Sequence, residues 1–163
     1  MPQGTEVYIT HGAEDYFEPA IQVLHNDGNP SLLLKYVEHS SSRQNDGSVE
    51  TVITLKDDKY PVTVKLHYIT YAAENIIKTF TEINHQEKKP IVLSKYASSM
   101  LHFNRDKYFL TEFSGDWAHE VNIAERELAF GKKTIDTKLG ARANMFVSPF
   151  FPVSYTHLTL PTT

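Results

Sequence analysis

Ser114-Gly115-Asp116-Trp117 delivers the single tryptophan of the chain directly behind a polar, glycine-containing turn, with a carboxylate beside it. Those residue types suit a sugar-binding wall. An indole face packs on the C–H face of a pyranose, and a neighbouring carboxylate binds hydroxyls. Asp116 and Glu120 flank Trp117 and are the acids placed to contact a polar ligand. The same tryptophan also suits a core, because large aromatic side chains are highly buried on average. Residue types and spacing leave both uses open.

The other chemistry-bearing residues exclude more than they assign. Eight histidines (His11, His25, His39, His67, His85, His102, His119 and His157) are scattered, with no His-x-His or His-x-x-x-His spacing to seed a metal site. Cysteine is absent, which removes a disulfide framework, a thiolate metal site and a cysteine nucleophile. No Gly-x-Ser-x-Gly elbow and no glycine-rich phosphate loop occurs. Asp57-Asp58 lies between Lys56 and Lys59 and reads as a solvated hairpin loop. Arg142 is either a brace for a carboxylate or an ordinary surface arginine. No catalytic residue, metal site or cofactor is expected within the chain.

These residues need elements to position them, and the chain reads as strands throughout. Val49, Thr51, Ile53 and Leu55 alternate onto one face, as do Val62, Val64, Leu66 and Tyr68. Period-two alternation of β-branched and aromatic residues means strands with one buried face. Asp57 to Pro61 joins them. Further strands are predicted from Pro19 to Leu24, Ser31 to His39, Ile76 to Ile83, Ile91 to Phe103 (one long strand, or two with a bend at Ala97-Ser98-Ser99), Tyr108 to Phe113, and Thr134 to Leu139. Asn26-Asp27-Gly28-Asn29-Pro30 is a turn, and Ser40 to Gly47 a polar loop. Val121 to Phe130 has a weak helical pattern and is read as extended. Short strands joined by tight turns predict an all-β, antiparallel β-sandwich in one domain.

Composition agrees. Hydrophobic residues make up 40% of 163, enough for a globular core. The net charge of -4 and the lack of a basic patch speak against nucleic acid. No apolar run reaches the length of a membrane span, and residues 1–10 show no signal-peptide pattern, so no membrane partner is expected.

Phe113-Ser114-Gly115-Asp116-Trp117, Glu125-Arg126, Thr137 to Phe146 and Ser148-Pro149-Phe150-Phe151 together resemble the N-terminal domain of glycoside hydrolase family 36 α-galactosidases. Asp15 to Ala20 matches the family's Asp-x-Arg-x-Pro-Ala stretch, with Phe17 where arginine is usual. Leu55-Lys56-Asp57, Tyr60-Pro61, Leu66-His67-Tyr68 and Ile83 to Gln86 extend the likeness, which covers about residues 5 to 151. It implies an incomplete supersandwich of the galactose-mutarotase type, preceding a catalytic (β/α) barrel. It implies a retaining enzyme that removes terminal α-galactosyl residues from oligosaccharides such as melibiose and raffinose. Two barrel aspartates would act as nucleophile and acid/base, so the chain alone is expected to be inactive. The family's substrate-contact tryptophan maps to Trp117, with Asp116 as a second candidate. The implied partners are an α-galactoside, the missing barrel, and further copies in a homo-tetramer. A carbohydrate-binding module without catalysis and a structural sandwich with Trp117 in its core are the alternatives.

Residues 152–163 stand apart. Pro-Val-Ser-Tyr-Thr-His-Leu-Thr-Leu-Pro-Thr-Thr carries no charge and four threonines. From Val153 it matches the translation of a transposase adapter used in sequencing libraries, and it is expected to be adapter readthrough following a partial sandwich domain at 1–151. The codons of Val153 to Leu160 are expected to match that adapter; codons that differ from it would make the segment native chain.

Overall fold

The computed structural model describes residues 6–13, 18–103, 107–116, 118–136, 146–147 and 152–154. Ten strands run β1 (Ile21–Leu24), β2 (Leu34–Arg43), β3 (Val49–Asp57), β4 (Val62–Tyr71), β5 (Ile76–His85), β6 (Val92–Tyr96), β7 (Phe109–Asp116), β8 (His119–Glu127), β9 (Phe146–Val147) and β10 (Val153–Ser154). No helix occurs among the described residues, and every strand pairing is antiparallel. The all-β antiparallel expectation holds. The chain divides into two compact units, Met1–His102 and Phe103–Thr163.

The first unit is built on the sheet β2-β3-β4-β5. Its register pairs Leu55 with Val64 and Ile53 with Leu66 across β3 and β4, and Val64 with Ile83 across β4 and β5. The alternating positions therefore share one face. Against that face lies the two-stranded sheet β1-β6, and a single core joins Ile21 and Val23 of β1 to Val62, Val64 and Leu66 of β4, with Tyr8 and Leu32. Ile21, Leu32, Val62 and Val64 are fully enclosed. Each such side chain contributes about 1.5–3 kcal/mol on burial. Tyr8 donates its hydroxyl to Ala97 O (2.8 Å), while burial pushes its phenol above the usual tyrosine range.

Four local expectations change. The segment after β1 does not return to pair with it: β1 pairs with β6, at Ile21–Tyr96 and Leu24–Val92. The serine-rich stretch is strand, since Ser40, Ser41 and Ser42 pair with Val52, Thr51 and Glu50. A bulge between Tyr36 and Glu38 inserts one residue, so Tyr36 and His39 both stand opposite inward positions, Leu55 and Ile53. Strand β6 ends at Tyr96, and residues 97–103 are not strand. Residues 134–136 are not strand either, and the rest of that expected element lies outside the described residues.

Asp57 is the sharpest correction. The sequence reading made Asp57-Asp58 a solvated loop. Asp57 is instead buried, with 4% exposed, and its carboxylate accepts three backbone N–H groups: Leu33 (2.6 Å), Lys59 (2.7 Å) and Tyr60 (2.9 Å). Only Asp58 meets solvent, where it pairs with Lys35. Asp57 thus ties the β3–β4 turn to the entry of β2, satisfying donors that burial would otherwise strand.

A second polar cluster ties the loops at the same end. Buried His25 meets Glu87 Oε1 through Nδ1 (2.7 Å) and Ser31 O through Nε2 (3.0 Å). The ring stacks on Tyr60 at 3.5 Å between centroids, 9° from parallel. Asn26 gives its backbone N–H (3.1 Å) and its side-chain amide to Glu87 Oε2. Desolvation pushes the Glu87 carboxyl up, but the hydrogen bonds from His25 and Asn26 outweigh it and hold the group below the usual glutamate range.

Two outcomes follow from these clusters. Asp57→Ala removes three charge-assisted hydrogen bonds and is expected to cost about 2–4 kcal/mol, read by chemical denaturation; a loss no larger than that of Asp58→Ala would contradict this role. Glu87 has a folded pKa below its unfolded value of about 4.3, so its stabilisation is complete above that value and is lost as pH falls through the lower folded one. Glu87→Gln should be less stable at neutral pH and show a shallower loss on acidification, measured as the unfolding midpoint against pH.

Candidate functional site at the β7–β8 hairpin

The candidate site lies in the second unit. Strands β7 and β8 pair from Phe109–Glu127 through Phe113–Ile123 to Ser114–Asn122, and close at Asp116–His119. Positions 117 and 118 alone connect them, which is the tightest common hairpin link. A bulge between Ser114 and Asp116 turns the backbone just before that link. On the other edge of β7, Gly115 and Ser114 pair with Phe146 and Val147 of β9, and Leu110 and Phe109 pair with Val153 and Ser154 of β10. Thr111 N donates to Pro152 O at 3.1 Å. The hairpin end is therefore held by strands on both sides of β7.

Ala118 has φ +62°, in the left-handed region. Alanine pays roughly 1–2 kcal/mol there, and glycine or asparagine is the usual occupant. Asn122 Nδ2 donates to His119 O (3.1 Å), bracing the first residue of β8. The backbone of the tip is thus specified by a two-residue link, a bulge and a side-chain brace.

The expected site residues fall as follows. Trp117 lies outside the described residues. Asp116 ends β7 opposite His119, and Glu120 lies in β8; their side chains are outside the description. Arg142 is outside it too. The hairpin brings Asp116 and His119 together at its tip, a pairing that spacing alone did not select. Glu112, on the same strand, was not singled out either. Its carboxylate meets Lys133 Nζ at 2.8 Å and Arg126 Nε at 3.9 Å, beside a depression of about 240 Å³. The opposite charges of Glu112 and Arg126 become diagonal neighbours once the two-residue link sets the register, which is the signal that could have found them.

Two of the described histidines, His25 and His67, sit against glutamates. His25 meets Glu87, and His67 Nδ1 meets Glu50 Oε1 at 2.9 Å while its ring stacks on Phe80 at 4.3 Å. Among the described residues, no group of three or more His, Asp or Glu side chains is arranged to hold a metal ion. In the first unit a groove of about 410 Å³ runs beside Tyr8, Tyr36, Ile53 and Leu55, with the Tyr36 hydroxyl 2.7 Å from His39 Nδ1.

Known proteins place this architecture. A sequence model described as the glycosyl hydrolase family 36 N-terminal domain matches residues 2–159. Alpha-galactosidase Mel36A of Lactobacillus acidophilus is 21% identical over 157 residues, covering 88% of this chain and 21% of that protein. The crystal structure of the GH36 α-galactosidase AgaA from Geobacillus stearothermophilus superposes with a TM-score of 0.80 at 23% identity, over 88% of this chain and 22% of AgaA. The α-galactosidase of Lactobacillus brevis does so with a TM-score of 0.80 at 22% identity, over 89% of this chain and 21% of its own. Variants of AgaA have been crystallised with raffinose and with stachyose. The chain spans about a fifth of the length of these relatives. Its antiparallel strands share the β-sandwich fold of their N-terminal domains. With residues 2–159 of its 163 matched by the family's sequence model, the chain belongs to the glycosyl hydrolase family 36 N-terminal domain family.

Proposed function

We propose that this domain serves a retaining α-galactosidase that removes terminal α-galactosyl residues from oligosaccharides such as melibiose, raffinose and stachyose. In this reading the chemistry belongs to a barrel outside these 163 residues, and this domain supplies one wall of the sugar pocket. The family match over residues 2–159 carries the reading. AgaA, which shares the fold, has been crystallised with raffinose and with stachyose, and that supports an oligosaccharide as the ligand.

Trp117 is the wall residue of this proposal, with Asp116 beside it. The hairpin suits that use. A two-residue link leaves position 117 at an end of the sheet, and the bulge before Asp116 and the left-handed Ala118 restrict the backbone on both sides of it. Restricting the backbone in advance lowers the ordering cost of binding. An indole on a galactose ring would contribute through apolar contact, and an acid beside it through hydrogen bonds to hydroxyls. Assembly into a tetramer, with this domain at interfaces, belongs to the same proposal.

Trp117→Ala in the whole enzyme is expected to weaken galactoside binding by about 1–3 kcal/mol, seen as a raised KM for raffinose with the fold retained. Unchanged kinetics in that variant would remove Trp117 from the pocket wall.

A further inference from the structure

Asn-Asp-Gly occurs twice, at 26–28 and at 45–47, and both copies close the same turn. In the first, His25 N donates to Asn29 O (2.9 Å) and Gly28 N to His25 O (2.9 Å). In the second, Gln44 N donates to Ser48 O (2.8 Å) and Gly47 N to Gln44 O (3.0 Å). Gly28 and Gly47 have φ of +87° and +86°. Asp27 Oδ1 accepts Asn29 N at 3.0 Å, and Asp46 Oδ1 accepts Ser48 N at 2.9 Å. Sequence, backbone and cap are therefore matched, and what differs is the surroundings.

Aspartate followed by glycine has a particular reactivity. The glycine nitrogen attacks the side-chain carboxyl carbon, a C–N bond forms, and the carboxyl hydroxyl leaves with the amide proton as water. The product is a cyclic succinimide. Water then opens the ring at either carbonyl. Opening at the backbone carbonyl leaves the chain linked through the side-chain carbon, as isoaspartate. Water balances both steps, and no oxidant or reductant is needed. Glycine favours the attack because no Cβ crowds the nitrogen, and at both positions the space a Cβ would take is open.

Reaction requires the turn to open, since each glycine N–H is engaged in it. At 26–28, opening breaks contacts to two other parts of the fold. Asp27 Oδ2 accepts the Tyr60 hydroxyl (2.8 Å), and that hydroxyl accepts Asn29 Nδ2 (2.9 Å). Tyr60 stacks on buried His25, and Asn26 is bound to Glu87. At 45–47 the contacts are local. Asp46 Oδ1 also accepts Ser48 Oγ (2.7 Å), and Gln44 Nε2 reaches Ser42 Oγ (3.1 Å) and Glu50 Oε2 (3.2 Å). Exposed turns with only local contacts open at low free energy, and turns stitched to the core do not.

We propose that Asp46 is a site of spontaneous isoaspartate formation and that Asp27 is its protected twin. The modification adds a backbone atom to the turn that sets the β2–β3 register, beside the Arg43–Val49 pair. It also creates an isoaspartyl carboxylate, the chemical class that carboxyl-methylating repair enzymes accept.

The test ages the whole chain at mildly acidic pH in heavy-oxygen water and maps peptides by mass spectrometry. Isoaspartate with solvent oxygen should accumulate at position 46 several-fold faster than at 27. Tyr60→Phe keeps the stacked ring but removes the hydroxyl, and should speed position 27 while leaving 46 unchanged. No isoaspartate at 46, equal or faster reaction at 27, or a Tyr60→Phe variant that ages like the parent would overturn the proposal.

Discussion

The inward face of β4 is the constraint on which the first unit depends. Val62, Val64 and Leu66 are buried; Val64 and Leu66 have partners on both neighbouring strands and Val62 pairs with His85 of β5, so a slip of one residue would turn all three to the other face. That cost fixes the register of β3 and β5 around it. The sheet β1-β6 then has one place to bury Ile21 and Val23, against the same residues. The bulge in β2 leaves Tyr36 and His39 both opposite inward positions although their numbers differ in parity.

Burial of that face forces a second problem, which is where the loop backbones put their polar groups. Asp57 answers it for the β3–β4 turn and the approach to β2, and the His25–Glu87 pair answers it for the turns after β1 and β5. Neither cluster lies at a place where catalysis is expected. Their acids are themselves buried and accept N–H groups from more than one segment, and low exposure of the acceptor strengthens such hydrogen bonds. The two Asn-Asp-Gly turns show the contrast within one molecule, since only the first is drawn into such a cluster.

In the second unit the hairpin register does the positioning. Closing β7 on β8 with two residues decides that Asp116 meets His119 and that Glu112 stands diagonal to Arg126. The bulge and the left-handed Ala118 shape the tip, with alanine at a position where a two-residue link favours glycine or asparagine.

The sequence by itself determined the all-β class, the buried faces of its alternating strands and the family resemblance. Period-two alternation is local, so Val49 to Leu55 and Val62 to Tyr68 declare themselves without a partner, and the motifs from Phe113 to Phe151 are read in order along the chain. Tertiary structure alone decided what those strands meet. That β1 pairs with β6, that Ser40 to Ser42 continue a strand, and that Asp57 is buried while Asp58 is not all depend on groups tens of residues away. A polar run reads as loop until a neighbouring ladder takes up its backbone, and an acid pair reads as solvated until a distant N–H needs one of the two. The tip around Trp117 belongs with the second group: Ser114-Gly115-Asp116, read from the sequence as a turn, is the end of β7, and the two-residue link, bulge and left-handed alanine emerge only from the pairing of β7 with β8.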